Sequence, residues 1–161
     1  MVFFERRYLA IYLNDHYAGS TGGLELARRA RDSNTGTEFG AVLAEITDEI
    51  DWDRERLREI MRFCEVEPDR VKVAGAWAGE KLGRLKPNGE LTSYSPLSRV
   101  VELEGLFVGI SGKLSLWRNL ERALGEHLVS FELPKLIARA ESQRDRVEEL
   151  RLTAAADALA F

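Results

Sequence analysis

The chain has 161 residues, enough for one folded unit that buries a core of useful size. Hydrophobic residues make up 45% and charged residues 31%, a balance that argues against disorder. A net charge of −4 with interspersed signs argues against a nucleic-acid binder, which would show a basic excess or stripe.

No stretch approaches the roughly 20 consecutive apolar residues of a membrane span. The N-terminus, Met-Val-Phe-Phe-Glu-Arg-Arg, carries charges where a signal peptide needs an apolar run, so a cytoplasmic location is expected. The one cysteine, Cys64, excludes an internal disulfide and any cysteine-only metal site.

The first helix is expected from about Glu5 to Arg31, with Leu9, Leu13, Leu24 and Ala27 on one stripe, Ser20 inside it, and His16 and Tyr17 on its flanks. Gly19, Gly22 and Gly23 each cost roughly 1 kcal/mol against alanine in such a helix. Either a neighbouring helix approaches closely there or the helix kinks. Arg28, Arg29 and Arg31 read as a solvated helix end rather than a phosphate site. Asp32 to Thr37 is a turn by composition, with Thr37 as the cap of the next helix.

That second helix is the clearest amphipathic segment. Val42, Ile46, Ile50, Leu57, Ile60 and Cys64 share a face, with Leu43 at its edge. Asp53 stands on the same line, where an aliphatic residue would be expected. Cys64 is therefore expected to be a buried thiol, and the helix to end near Glu65, ahead of Glu67-Pro68-Asp69. A minor helix follows between Asp69 and Leu85, with Val71, Ala74, Trp77 (or Ala78) and Leu82. Lys86-Pro87-Asn88-Gly89 is a turn signal.

Ser95 and Pro96 open the third long helix as cap and first residue, and Gly125 closes it. Its stripe holds Val100, Leu103, Phe107, Ile110, Leu114 and Trp117, with Glu104, Ser111 and Arg118 alongside. Gly109-Ile-Ser-Gly112-Lys113 has the wrong spacing and context for a phosphate loop. Pro134 fits the first turn of the last helix, whose Leu133, Leu136, Ala140, Val147 and Ala154 are flanked by Gln143 and Arg144. The apolar tail, Ala154 to Phe161, is expected to pack on the bundle or on a second subunit.

Two helical hairpins joined by a long crossover define an all-α, single-domain architecture spanning 1–161. From Leu9 to about Leu152 this helix order resembles the ferritin-like four-helix-bundle superfamily, in particular its small bacterial members of unknown function. The resemblance implies a crossover with a short extra helix between the second and third long helices. It also implies a di-iron site, with lone glutamates on two helices and Glu-x-x-His pairs on the others. Here the second helix has Glu45-x-x-Asp48 and Glu49-x-x-Trp52, and the last has Glu141-x-x-Arg144, so that chemistry does not carry over. Neither of the two histidines, His16 and His127, belongs to such a pair.

Counting levels along the helices brings His16, Asp53, Ser111, Gln143 and Arg144 into one polar layer. A structural reading pairs Asp53 with Arg144 or His16, with Ser111 and Gln143 completing the hydrogen bonds, because a buried charge demands partners. A functional reading makes the layer a metal or small-ligand pocket, where Arg144 would oppose a cation but favour an anion or a carboxylate-bearing ligand. A single metal ion would draw on His16, Asp53, Glu49 and Glu104, but no cofactor is expected. A catalytic triad of Ser111, His16 and Asp53 lacks the strained turn and oxyanion donors that a helix interior cannot supply. The leading expectation is a non-enzymatic bundle acting through homo-oligomerisation or a protein partner, for which Trp52, Trp77, Trp117 and the tail offer apolar area. The alternative is a metal- or small-ligand-binding protein, an oxidoreductase included, with neither nucleic acid nor membrane as partner.

Overall fold

The computed structural model describes residues 2–83 and 94–160, with side chains described for 6–79 and 94–160. The expected turn at Lys86-Pro87-Asn88-Gly89, the Leu82 side chain, Leu85 and Phe161 lie outside the described residues. What is described is all-helical. Four long helices, α1 (Val2–Ser33), α2 (Glu38–Phe63), α4 (Pro96–Leu124) and α5 (Leu133–Leu159), accompany a shorter α3 (Arg70–Gly83). No helix among the described residues is long and apolar enough to cross a membrane.

The helix ends follow from local chemistry. The Thr37 hydroxyl accepts the Gly40 amide at 3.2 Å, satisfying an otherwise free donor of the first turn of α2. Ser95 and Ser98 form a reciprocal capping box before Pro96. α1 is one uninterrupted helix running two residues beyond the expected Arg31, so its glycines do not break it. α2 ends earlier than the sequence suggests. Cys64 is its C-cap and Glu65 takes a left-handed conformation (φ 59°). The amides of Glu65 and Val66 then bond back to Arg62 and Met61, at 3.1 and 2.8 Å, in a Schellman motif with buried Val66 behind it. Cys64 is consequently half-buried at a helix end rather than sealed inside α2, and burial pushes its thiol pKa up.

α1 packs on α2, α4 on α5, α1 on α4 and, less extensively, α2 on α5, while α3 lies against α1. Each of the four long-helix pairings is antiparallel. Arg28 meets Asp51 and Arg54 meets Thr21; Tyr12 meets Asn119 and Arg29 meets Glu102. The buried apolar residues divide into two clusters. One holds Leu13, Leu57, Ile60, Leu116, Trp117 and Leu136, and the other holds Leu24, Leu43, Ile46, Leu103, Ile110 and Val147. Trp117 is 1% exposed and belongs to the core, so it offers no surface to a partner. Trp52 and Trp77 are half exposed, and Trp52 lies under the guanidinium of Arg139 at 3.9 Å.

A second buried polar group ties the start of α4 to the turn between α1 and α2. Asn34, 1% exposed, donates to the Ala30 carbonyl at 2.8 Å and to the Tyr94 hydroxyl at 3.0 Å, and accepts from Arg99 at 2.6 Å. Tyr94 donates to Glu102, which Arg29 neutralises. Burial beside Glu102 pushes the Tyr94 hydroxyl pKa up. The arginines at the end of α1 thus face carboxylates, Arg28 on Glu25 and Asp51, Arg29 on Glu102, Arg31 on Asp32.

Candidate functional site: a polar bridge and a glycine-walled cleft

Between the two apolar clusters the α2 stripe presents Asp53, 1% exposed. Its carboxylate accepts from Lys113 on α4 at 2.5 Å, and from Gln143 and Arg139 on α5 at 3.1 and 3.3 Å. Gln143, fully buried, accepts from Lys113 through its carbonyl and donates to Glu49 at 2.9 Å. Arg146 closes the chain of contacts on Glu49 at 2.5 Å. Burial lowers the pKa of the Lys113 ammonium, and the adjacent Asp53 carboxylate opposes that shift. The result is a bridge of charged hydrogen bonds across α2, α4 and α5.

Of the residues expected in this layer, Asp53 and Gln143 are brought together and three are not. Arg144 turns outward to Asp145 at 2.9 Å and does not reach Asp53. Ser111 donates to the Phe107 carbonyl of its own helix at 2.8 Å, so it supplies Asp53 with no donor. His16 stacks edge-on against Tyr12, with ring centroids 4.6 Å apart, and makes no ion pair with Asp53. The cations that do reach Asp53 are Lys113 and Arg139. Both carried a readable signal: Lys113 sits three residues after Ile110 and four before Trp117, on the buried stripe, and Arg139 sits four before Gln143.

His16 and Asp53 do share a cleft of about 290 Å³ between α1, α2 and α4. The ends of the α1–α4 pair are clamped. Asn119 donates to the Tyr12 hydroxyl at 2.9 Å at one end, and Arg29 pairs with Glu102 at 2.7 Å at the other. Between these clamps stand Gly19 and Gly23 of α1 and Gly109 and Gly112 of α4, all lining the cleft. A Cβ placed on any of the four would meet nothing within 4 Å among the described residues. These glycines therefore open space rather than let helices touch. Gly105 is different, since an added Cβ would come within 2.9 Å of Leu26.

The cleft is mainly apolar, walled by Ile50, Leu57, Leu106, Ile110 and Leu116. Its polar groups are few and mostly donors. Among the described residues the Trp117 indole N–H is buried without a hydrogen-bond partner, as is the Nε–H of Arg54. Both residues line the cleft. The Ser20 hydroxyl is spent on the Tyr17 carbonyl at 2.6 Å. Burial lowers the pKa of His16, against the opposing charge of Asp15, and favours its neutral ring.

A cation fits this donor set badly. Asp53 is already engaged by Lys113 and Arg139, and Glu49 by Gln143 and Arg146. Glu104 lies 3.8 Å from Arg151 on another face. Among the described residues no group of three or more His, Cys, Asp or Glu side chains is arranged to hold a metal ion. Compared with protein-family models, with curated proteins and with solved structures, the chain matches none of them.

Proposed function

We propose that the protein is a ferritin-like four-helix bundle, crossed over through α3, that binds one compact and largely apolar small molecule in the cleft between α1, α2 and α4. The antiparallel packing of α1 on α2, α4 on α5, α1 on α4 and α2 on α5 supports that bundle. The reading is of a binding protein, since the cleft holds no nucleophile paired with a base, and the Asp53–Lys113 bridge forms part of its floor.

The observation that carries this reading is a cleft that four glycines keep open between α1 and α4, with Trp117 in its wall. Four helix-interior glycines each cost roughly 1 kcal/mol against alanine, with no packing in return. A ligand that fills the space offsets that cost. The volume is at the lower end for small-molecule pockets, which run from about 300 Å³ upward.

The test is an NMR titration of the labelled chain with a panel of neutral aromatic fragments of benzene to naphthalene size. Saturable shifts are expected at His16, Ser20, Lys113 and Trp117, and Gly109→Leu should abolish them while leaving the helical circular dichroism intact. Shifts clustered elsewhere, or shifts that survive Gly109→Leu, would show that the cleft is not a binding site.

A further inference from the structure

We propose that the ligand class of this cleft is the small monocarboxylate, its carboxylate seated on Arg54 and its apolar body against the glycine walls; this rests on reading the cleft as a ligand site. Most of the charges lining the cleft are already matched by partners. Asp53 is neutralised by Lys113 and Arg139. Asp15, at the rim, is paired with Lys72 of α3 at 2.6 Å. Lys113 is held between Asp53 and Gln143.

Arg54 is in a different condition. Its side chain is 18% exposed, and its ion-pair contact with Glu55 is 3.6 Å long, outside hydrogen-bonding distance. Nη2 donates to the Thr21 hydroxyl at 3.3 Å, and the guanidinium lies over the Tyr17 ring, 4.6 Å from its centroid. The ring and the hydroxyl fix its plane, and neither neutralises its charge. Its Nε–H is buried with no partner among the described residues. A preorganised guanidinium whose nearest carboxylate, Glu55, stands 3.6 Å away is the group in this lining best suited to a carboxylate.

Other ligand classes fit less well. A cationic ligand would meet Arg54 and Lys113 with no free carboxylate to receive it. A phosphate ester brings two charges and three terminal oxygens, more than one guanidinium can satisfy, into a cleft that is mainly apolar. One carboxylate on a short hydrocarbon body matches the charge, the donors and the volume together.

The experiment titrates the full chain with hexanoate, hexanamide and hexylammonium, three probes of one shape that differ in the charge of the head group. Hexanoate should bind about tenfold tighter than hexanamide, the factor expected when a hydrogen bond gains a charged partner. Hexylammonium should bind weakest. Arg54→Gln should abolish the preference for hexanoate over hexanamide, and Arg54→Lys should recover part of it. Equal binding of hexanoate and hexanamide, or a hexanoate preference that survives Arg54→Gln, overturns the carboxylate assignment while the cleft remains a ligand site. Failure of all three probes to shift cleft resonances removes the cleft reading itself, and the assignment with it.

Discussion

Asp53 shows how one residue on an apolar stripe dictates what surrounds it. A carboxylate 1% exposed cannot stay ionised without partners, and it finds a cation on each of two facing helices. Asp53→Ala should cost about 3–5 kcal/mol in chemical denaturation, because it leaves the Lys113 ammonium buried and unpaired. The double variant Asp53→Leu with Lys113→Met should recover most of that loss, since both charges leave together and hydrocarbon of similar volume replaces them. Losses that simply add in the double variant would mean that the two groups do not act as a pair. Gln143 shares in the bridge through both ends of its amide, so its carbonyl faces Lys113 and its NH₂ faces the two carboxylates.

At the scale of helices, the glycines divide into those that permit contact and those that prevent it. Gly40, in the first turn of α2, is of the first kind. An added Cβ would stand 2.2 Å from the Asn34 carbonyl oxygen, which is backbone held by the turn and cannot retreat. Gly40→Ala should therefore destabilise by about 1–3 kcal/mol, the usual cost of overpacking, despite the better helix propensity of alanine. An unchanged denaturation midpoint would show that the α1–α2 turn is more yielding than this geometry requires. The same turn anchors Tyr94 and Arg99 through Asn34, so strain there would be felt at the start of α4 as well.

For the molecule as a whole, the cleft divides the packing of α1 on α4, closed at both ends by polar clamps and open between them. Interiors normally exclude such voids, because the atoms lining them lose dispersion contacts on one side. Alanine at Gly19 and Gly109 together should raise stability by up to about 2 kcal/mol, from helix propensity alone, as nothing stands in the way of either Cβ. Thermal denaturation measures this directly. A double variant less stable than the parent would mean that the helices close further in solution and that the cleft is narrower than described. Stability gained at the expense of ligand binding would identify the glycines as serving the site rather than the fold.

The helices and their starts were legible in the chain because they depend on neighbours in sequence. Thr37, Ser95 and Pro96 act within one helical turn, and the α2 stripe needs only a period of 3.6. For the same reason the burial of Asp53 could be read from its place on that stripe. The end of α2 was less legible, since a glutamate rather than a glycine takes the left-handed position after Cys64. Which cation meets Asp53 was decided by the axial register of α2 against α4 and α5. One residue of register turns a side chain by about 100°, which leaves Arg144 on Asp145 while Gln143 and, one turn before it, Arg139 face Asp53. The cleft also belongs to tertiary structure. Glycines on a helix face are equally compatible with close packing, as at Gly105 against Leu26, and with open space, as at Gly109. What selects between them is how α1 and α4 pack along their length, between the Tyr12–Asn119 and Arg29–Glu102 contacts. These pairs lie 107 and 73 residues apart in the chain, and no local pattern couples residues over such separations.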